Sequence, residues 1–308
     1  MQTFFSHGKL LITGEYVVLD AALSLALPTK LGQKMEVVFE ENLNDNTLTW
    51  YSLDSEGETW YREEFLLVEV NNQLQVQTHP MDVCTTNAIT DKLCQILTKA
   101  IALNPEFLKN GSYVVKTYLE FPNNWGLGSS STLLCNIAKW AEVDAFELLE
   151  ASFGGSGYDI AVGMLGGDVL YRSPAMWEGY VYQPSFKDKL YFVHLNQKQD
   201  SREGIAAYKS KKVKVQDIEM ISDLTESLIA CHDFDAFQQL ITAHETCISG
   251  ILEMPTVKEK LFADYPFAIK SLGAWGGDFI LACGDNQTRD YFHQKGFETV
   301  LSYSELIK

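Results

Sequence analysis

The stretch Pro122-Asn123-Asn124-Trp125-Gly126-Leu127-Gly128-Ser129-Ser130-Ser131-Thr132 constrains this chain more than any other. Residues 113–120, rich in β-branched and aromatic side chains, predict a strand leading into it. Residues 132–141 predict a helix leaving it. Two glycines let backbone amides approach an anion closely, and the serines fall where a helix leaves its first N–H groups unpaired. The helix dipole adds about half a positive charge at that end. A phosphate cradle is therefore expected, and with it a nucleotide. The loop is not a Walker A motif, because no Gly-Lys-Ser/Thr closes it. It is not a dinucleotide fingerprint either, since Ser131 stands where a third glycine belongs. Taken alone, a Ser-capped helix after a glycine turn explains the segment equally well.

At 308 residues the length suggests about two domains. A hydrophobic content of 46% and a charged content of 21% suit a soluble globular chain with a large core. The net charge of −17 argues against a nucleic-acid backbone or an anionic membrane as partner. It leaves room for a small anionic substrate in a locally positive cradle. The six cysteines are scattered without a CxxC pair, which reads as reduced thiols in a cytoplasmic protein. His232, His244 and Cys247 superficially suggest a metal cluster, but further ligands at zinc spacing are missing, so no structural metal is expected. The N-terminus lacks a signal-peptide pattern, and no apolar run reaches the roughly 18 residues of a membrane span. A soluble, intracellular location follows.

Along the chain, strands are expected at 9–13, 22–27, 34–39, 47–53 and 59–62, then a helix at 85–103 stopped by Asn104-Pro105. Helices are expected at 144–152 and 158–164, and a strand at 168–172. Beyond a soft boundary within 172–190, strands are expected at 180–183, 190–195, 268–272, 279–283 and 299–301. Helices are expected there at 215–231, 234–252, 256–263 and 288–295. Strands and helices are mixed rather than strictly alternating, which favours α+β over a doubly wound sheet.

Three further segments carry chemistry. In Gly8-Lys9-Leu10-Leu11-Ile12-Thr13-Gly14-Glu15-Tyr16, a lysine opens an apolar strand that runs into Gly14-Glu15. A lysine beside a transferring phosphate supplies positive charge where negative charge builds up. A plain surface lysine at a strand edge is the simpler account. In Gly154-Gly155-Ser156-Gly157-Tyr158-Asp159, a carboxylate follows a Gly/Ser turn and is suited to accept a hydroxyl proton. An acidic residue in the first turn of a helix explains it as well. The third segment, Leu272-Gly273-Ala274-Trp275-Gly276-Gly277-Asp278, has more glycine than a hairpin turn requires.

Together these four segments resemble the GHMP kinases, the superfamily of galactokinase, homoserine kinase, mevalonate kinase and phosphomevalonate kinase. Gly8-Lys9…Gly14-Glu15 looks like the first motif, and Pro122…Gly126-Leu127-Gly128-Ser129-Ser130 like the central phosphate loop. Gly273-Ala274…Gly276-Gly277 resembles the third motif, and Ser156-Gly157-Tyr158-Asp159 the Ser-Gly-x-Asp of mevalonate-type members. The resemblance implies an α+β fold. Residues 1–180 would form an ATP-binding domain like ribosomal protein S5 domain 2, and 181–308 a ferredoxin-like domain, with ATP and substrate between them. It implies Asp159 as catalytic base and Lys9 as its partner. Gly126, Leu127, Gly128, Ser129, Ser130 and Ser131 would surround the phosphates. Ser130, or its neighbour Ser129, would ligate Mg²⁺. The acidic Mg²⁺ ligand falls at Leu148 by the usual offset, flanked by Glu147 and Glu150, of which Glu147 is favoured. Glu15, Tyr16, Gly157, Gly273 and Ala274 would line the substrate. The chain departs from the family pattern at His7 (usually Pro) and Tyr16 (usually His in mevalonate kinases). It departs again at Trp275 and Asp278, which replace glycines.

The implied activity is ATP- and Mg²⁺-dependent phosphorylation of a small-molecule hydroxyl, with mevalonate first and phosphomevalonate second. A phosphorylated substrate needs extra basic groups, for which Arg172, Lys30 and Arg202 are the candidates. Homoserine kinase and a decarboxylase fit less well. A non-catalytic ligand sensor on the same fold is the alternative of a different class. No nucleic acid or membrane partner is expected, and a homodimer is the assembly considered.

Overall fold

The computed structural model describes every residue except 42–45, 72, 79–86, 110, 198–200, 274 and 276, and only the backbone of 201–203. By internal packing the chain divides into two interleaved units. One comprises Met1–Gly8, Leu31–Asn123 and Gly128–Met164; the other comprises Lys9–Lys30, Asn124–Leu127 and Leu165–Lys308. The expected division at 180 is a division of the sequence. Packing interleaves the segments instead, because two long strands and the Gly126–Gly128 loop run from one unit into the other.

The elements through the first unit are β1 (Gln2–Leu11), β2 (Ser24–Glu40), β3 (Thr47–Leu53), β4 (Thr59–Val70) and β5 (Gln73–Thr78). They continue with α1 (Ala88–Leu103), β6 (Ser112–Leu119), α2 (Ser129–Ala141), α3 (Ala145–Ser152) and α4 (Tyr158–Leu165). The strand order is β5-β4-β3-β6-β2, with β1 also on β2. The β3–β6 pair is parallel, while β3–β4, β4–β5 and β2–β6 are antiparallel. Alternation in β3 turns Leu48 and Trp50 inward. They join Phe65, Leu97, Leu134 and Ile137 in one core shared by the sheet and its helices.

Two differences from expectation have plain causes. The strands expected at 22–27 and 34–39 are one continuous strand, β2, which runs through Pro28. Pro28 falls between the residues paired with β7 (Asp168–Arg172), which are Ser24–Ala26, and those paired with β6, which are Gln33–Glu40. Its missing N–H therefore costs neither of these ladders a bond. Strand β5 was not expected, because Gln73, Gln75 and Gln77 leave only Leu74 and Val76 as apolar signal. The first helix starts at Ala88 with Asn87 as its cap, accepting the Ile89 N–H at 3.0 Å; residues 85–86 of the expected span lie outside the described residues.

Through the second unit run β7, β8 (Met176–Tyr180), β9 (Leu190–His194), α5 (Ser201–Lys209), α6 (Val215–Ile229) and α7 (Phe234–Leu252). They are followed by α8 (Val257–Leu261), β10 (Ile269–Ser271), β11 (Phe279–Cys283), α9 (Thr288–Gln294), β12 (Val300–Ser302) and α10 (Tyr303–Leu306). Strand β7 pairs with Ser24–Ala26 and with β8. A separate antiparallel sheet has the order β10-β11-β9-β12. Both β9 and β11 are buried along their whole length, as their near-continuous apolar runs require. Asp233 caps α7, and Thr256 with Glu259 forms a capping box on α8. The architecture is α+β.

Candidate functional site

The candidate site residues fall in both units. In the first unit, α2 begins directly after Gly128, which adopts φ +86° with no side-chain cap. Ser129, Ser130 and Ser131 are thus first-turn residues rather than caps, a correction to the Ser-capped account. Their N–H groups precede the first helical bond, Thr132 N–H to Gly128 O at 3.0 Å. The Thr132 hydroxyl reaches Gln33 Oε1 and Ser129 O, both at 2.9 Å, and stiffens the turn. Ser130 is exposed, and Ser129 and Ser131 are half-buried.

Asp159 lies in the first turn of α4, just after Gly157 at φ +87°. The Ser131 hydroxyl donates to Asp159 Oδ2, so the N-termini of α2 and α4 meet through one side-chain bond. The Asp159 carboxylate therefore sits where two helix N-termini come together. The helices cross closely behind this bond: a Cβ on Gly163 would lie 2.7 Å from Cys135 Sγ. Glu147 is exposed in the first turn of α3, which Asp144 caps through Phe146 N–H at 2.8 Å and Glu147 N–H at 2.9 Å. No hydrogen bond or ion pair joins Glu147 to Ser130, Ser131 or Asp159. Among the described residues no group of three or more His, Cys, Asp or Glu side chains is placed to hold a metal. An exposed hydroxyl and an exposed carboxylate are nevertheless the hard oxygen donors that suit Mg²⁺ carried largely by phosphates and water.

In the second unit, Lys9 fastens the loop ahead of Gly128. Its N–H donates to Leu127 O at 3.0 Å and its ammonium to Gly126 O at 3.1 Å. Gly126 adopts φ +65°, and a Cβ there would lie 2.3 Å from Asp278 Oδ2. The third glycine loop therefore presses the Asp278 carboxylate against Gly126. Gly273 needs glycine for its φ of +66° alone, since the space a Cβ would take is open. Ala274 and Gly276 lie outside the described residues. Trp275 is buried with Tyr16, Tyr208, Ile221 and Ile248, so it is a packing residue.

Glu15 departs most from expectation. It has no exposed surface, and its carboxylate is paired inside the unit with the equally enclosed Lys270. A group so placed is spent on Lys270 and is not presented to a substrate. The adjacent α7 residues His244 and Glu245 complete the cluster. Gly14 N–H donates to His244 Nε2 at 3.0 Å; Ser271 donates to Glu245 through N–H at 3.0 Å and hydroxyl at 2.8 Å. Burial pushes the Glu15 carboxyl up to about 7 against the pull of Lys270, and Glu245 adds to the rise. Burial and Lys270 hold His244 well below 6.5, so it stays neutral and its 3.8 Å approach to Glu15 is no ion pair. His244 thus belongs to this cluster and not to a metal site. A charged residue inside the apolar run 268–272 was the overlooked signal, since a buried lysine demands a partner.

Tyr16 has φ 60° and ψ −47°, and Val17 N–H bonds Glu15 O at 2.7 Å. That is a γ-turn of the rare positive-φ kind. The Tyr16 ring stacks on Tyr208 at 5.7 Å, and its hydroxyl accepts the Trp275 N–H at 3.0 Å. Tyr208, Asp20, Lys209, Lys211 and Lys212 line an open groove beside this stack. Arg172 and Lys30, the expected basic candidates, are bound instead to the carbonyls of Ala21 and Ser304; the Arg202 side chain lies outside the described residues.

No protein-family profile matches the chain, and no curated protein matches it. Solved structures do. Methanococcus jannaschii mevalonate kinase is 13% identical, over 96% of this chain and 94% of its own, with a TM-score of 0.66. Streptococcus pneumoniae phosphomevalonate kinase, in complex with phosphomevalonate and AMPPNP, is 15% identical over 98% and 100%, with a TM-score of 0.69. Lactococcus lactis galactokinase complexed with galactose is 12% identical over 95% and 88%, with a TM-score of 0.65. At such identities the likeness is one of fold.

Proposed function

We propose, on the fold this chain shares with the GHMP kinases, that it is an ATP-dependent kinase acting on the hydroxyl of a small molecule. On this reading the first unit corresponds to the S5 domain 2-like half and the second to the ferredoxin-like half. The observation that carries the proposal is the bond between Ser131 and Asp159 at the joined N-termini of α2 and α4. It sets a carboxylate beside the first-turn N–H groups of α2, the combination a phosphoryl transfer needs. Asp159 takes the acceptor's hydroxyl proton, and backbone amides of Gly126–Ser131 bind the phosphates. Lys9, held on the Gly126 carbonyl, stabilises charge at the reacting oxygen. Mg²⁺, when bound with ATP, neutralises phosphate charge; the Ser130 hydroxyl and the Glu147 carboxylate are the groups to hold it. Tyr16, Gly157 and Gly273 border the acceptor.

Mevalonate is the first acceptor on the Ser-Gly-x-Asp match. A phosphorylated acceptor such as phosphomevalonate is favoured by one observation, the groove in which Lys209, Lys211 and Lys212 lie beside the Tyr16–Tyr208 stack. A coupled ADP-release assay over mevalonate, phosphomevalonate, homoserine and galactose separates these readings. Turnover on one of them supports the kinase. Absence of turnover on all four, with no ATP binding by calorimetry, overturns it in favour of a ligand sensor.

A further inference from the structure

Tyr16 holds a strained backbone conformation, φ 60° and ψ −47°, that persists only where the surroundings over-determine it. Four contacts do so here. Gly14 N–H is held by His244, Glu15 by Lys270, the Tyr16 hydroxyl by the Trp275 N–H, and the Tyr16 ring by Tyr208. Two of the four come from the segment 270–275. That segment is itself held by Glu245 through both polar hydrogens of Ser271, while the Lys270 ammonium also donates to Ser271 O at 2.9 Å. Neighbouring residues of α7 thus grip different loops: His244 takes the turn at Gly14, and Glu245 takes the strand entering the third glycine loop. The Glu15–Lys270 pair is the tie between the two.

We propose that Glu15 and Lys270 are a positioning pair whose buried contact, braced by His244 and Glu245, keeps the strained Tyr16 turn in register with Trp275 and Asp278. Neither residue touches the reacting atoms. The pair acts through Tyr16 at one end and through Asp278, which abuts Gly126, at the other. The consequence for acceptor binding rests on the kinase reading; the coupling of the two loops does not.

Hydrogen–deuterium exchange on the full chain tests the coupling without any need for turnover. Removing one partner leaves a buried unpaired charge and risks unfolding, whereas Glu15→Gln with Lys270→Met removes both charges. The double variant is expected to melt near the wild type. It is expected to exchange about tenfold faster in 10–20 and in 270–280 together, with peptides of β9 and α9 unchanged. If an acceptor is known, its KM rises about tenfold in that variant while the KM for ATP stays within about twofold. Wild-type exchange in both segments, or acceleration in only one, overturns the proposal. Uniform acceleration across the unit overturns it too, as a merely structural loss. The exchange result stands even if no acceptor is phosphorylated.

Discussion

Asp159 and Glu15 are both carboxylates after a glycine turn, yet their surroundings give them opposite roles. Asp159 is half-buried at a helix N-terminus and accepts a hydrogen bond from the Ser131 hydroxyl. On the proposed kinase reading, Asp159→Asn keeps the shape and removes the base. Turnover in the ADP-release assay should fall by about 10²–10⁴-fold while calorimetric ATP affinity changes little. Near-wild-type kcat would mean that another group takes the proton. Glu15 is enclosed and holds its proton up to about pH 7, against 4.5 for the free side chain. The folded state therefore binds the extra proton across that window, and this group's contribution to stability falls as pH rises from 4.5 to about 7. Glu245, also raised, adds to that trend. His244 opposes it, because its depressed value removes stability as pH falls below 6.5. Lys270, the remaining charge in the cluster, stays paired with Glu15. Glu15→Gln removes the first effect: the variant melts below wild type because Lys270 loses its partner, but that gap should narrow steadily as pH rises over that window. A flat difference would show Glu15 ionised throughout.

At the scale of elements, the crossing of α2 and α4 decides where Asp159 and Ser131 meet. Lys139 of α2 donates to Phe5 O at 2.9 Å and Ser6 Oγ at 3.0 Å of β1, and to Gly163 O at 3.1 Å of α4. Gly163 lets Cys135 close the remaining gap. Gly163→Ala should cost about 1–3 kcal/mol in urea denaturation, and adding Cys135→Ala should return most of it. Additive losses would mean that the helices separate freely. Long periodic elements such as α6 and α7 were legible in the sequence, because their apolar spacing repeats over several turns. Strand β5 and helix α5 were not, since Gln-rich alternation and a nine-residue segment with few large apolar side chains give no period to read.

Over the whole molecule, a net charge of −17 means that folding gathers like charges. Raising NaCl from about 20 to about 300 mM should screen that repulsion and lift the melting temperature by roughly 1–3 °C. A fall would show that attractive pairs dominate. The surface ion pairs, such as Lys109–Glu106 and Lys295–Asp264, are exposed and contribute little at any salt. Among the described residues no helix is long and apolar enough to cross a membrane. The five described cysteines are free thiols, and burial pushes Cys135 up to about 12, which removes it from thiolate chemistry at ordinary pH.

The sequence by itself determined the local devices of this protein. Glycines at Gly126, Gly128 and Gly157 admit positive φ, serines follow Gly128 at a helix start, and Asp159 falls in the first turn of the helix after Gly157. Each depends on residues within a few positions of one another, so spacing suffices to read its local geometry. Only the tertiary structure decided what Glu15, Lys270, His244 and Glu245 are for. Lys270 lies 255 positions from Glu15. A buried charge announces that it needs a partner but not which one, because burial and pairing are properties of the folded core.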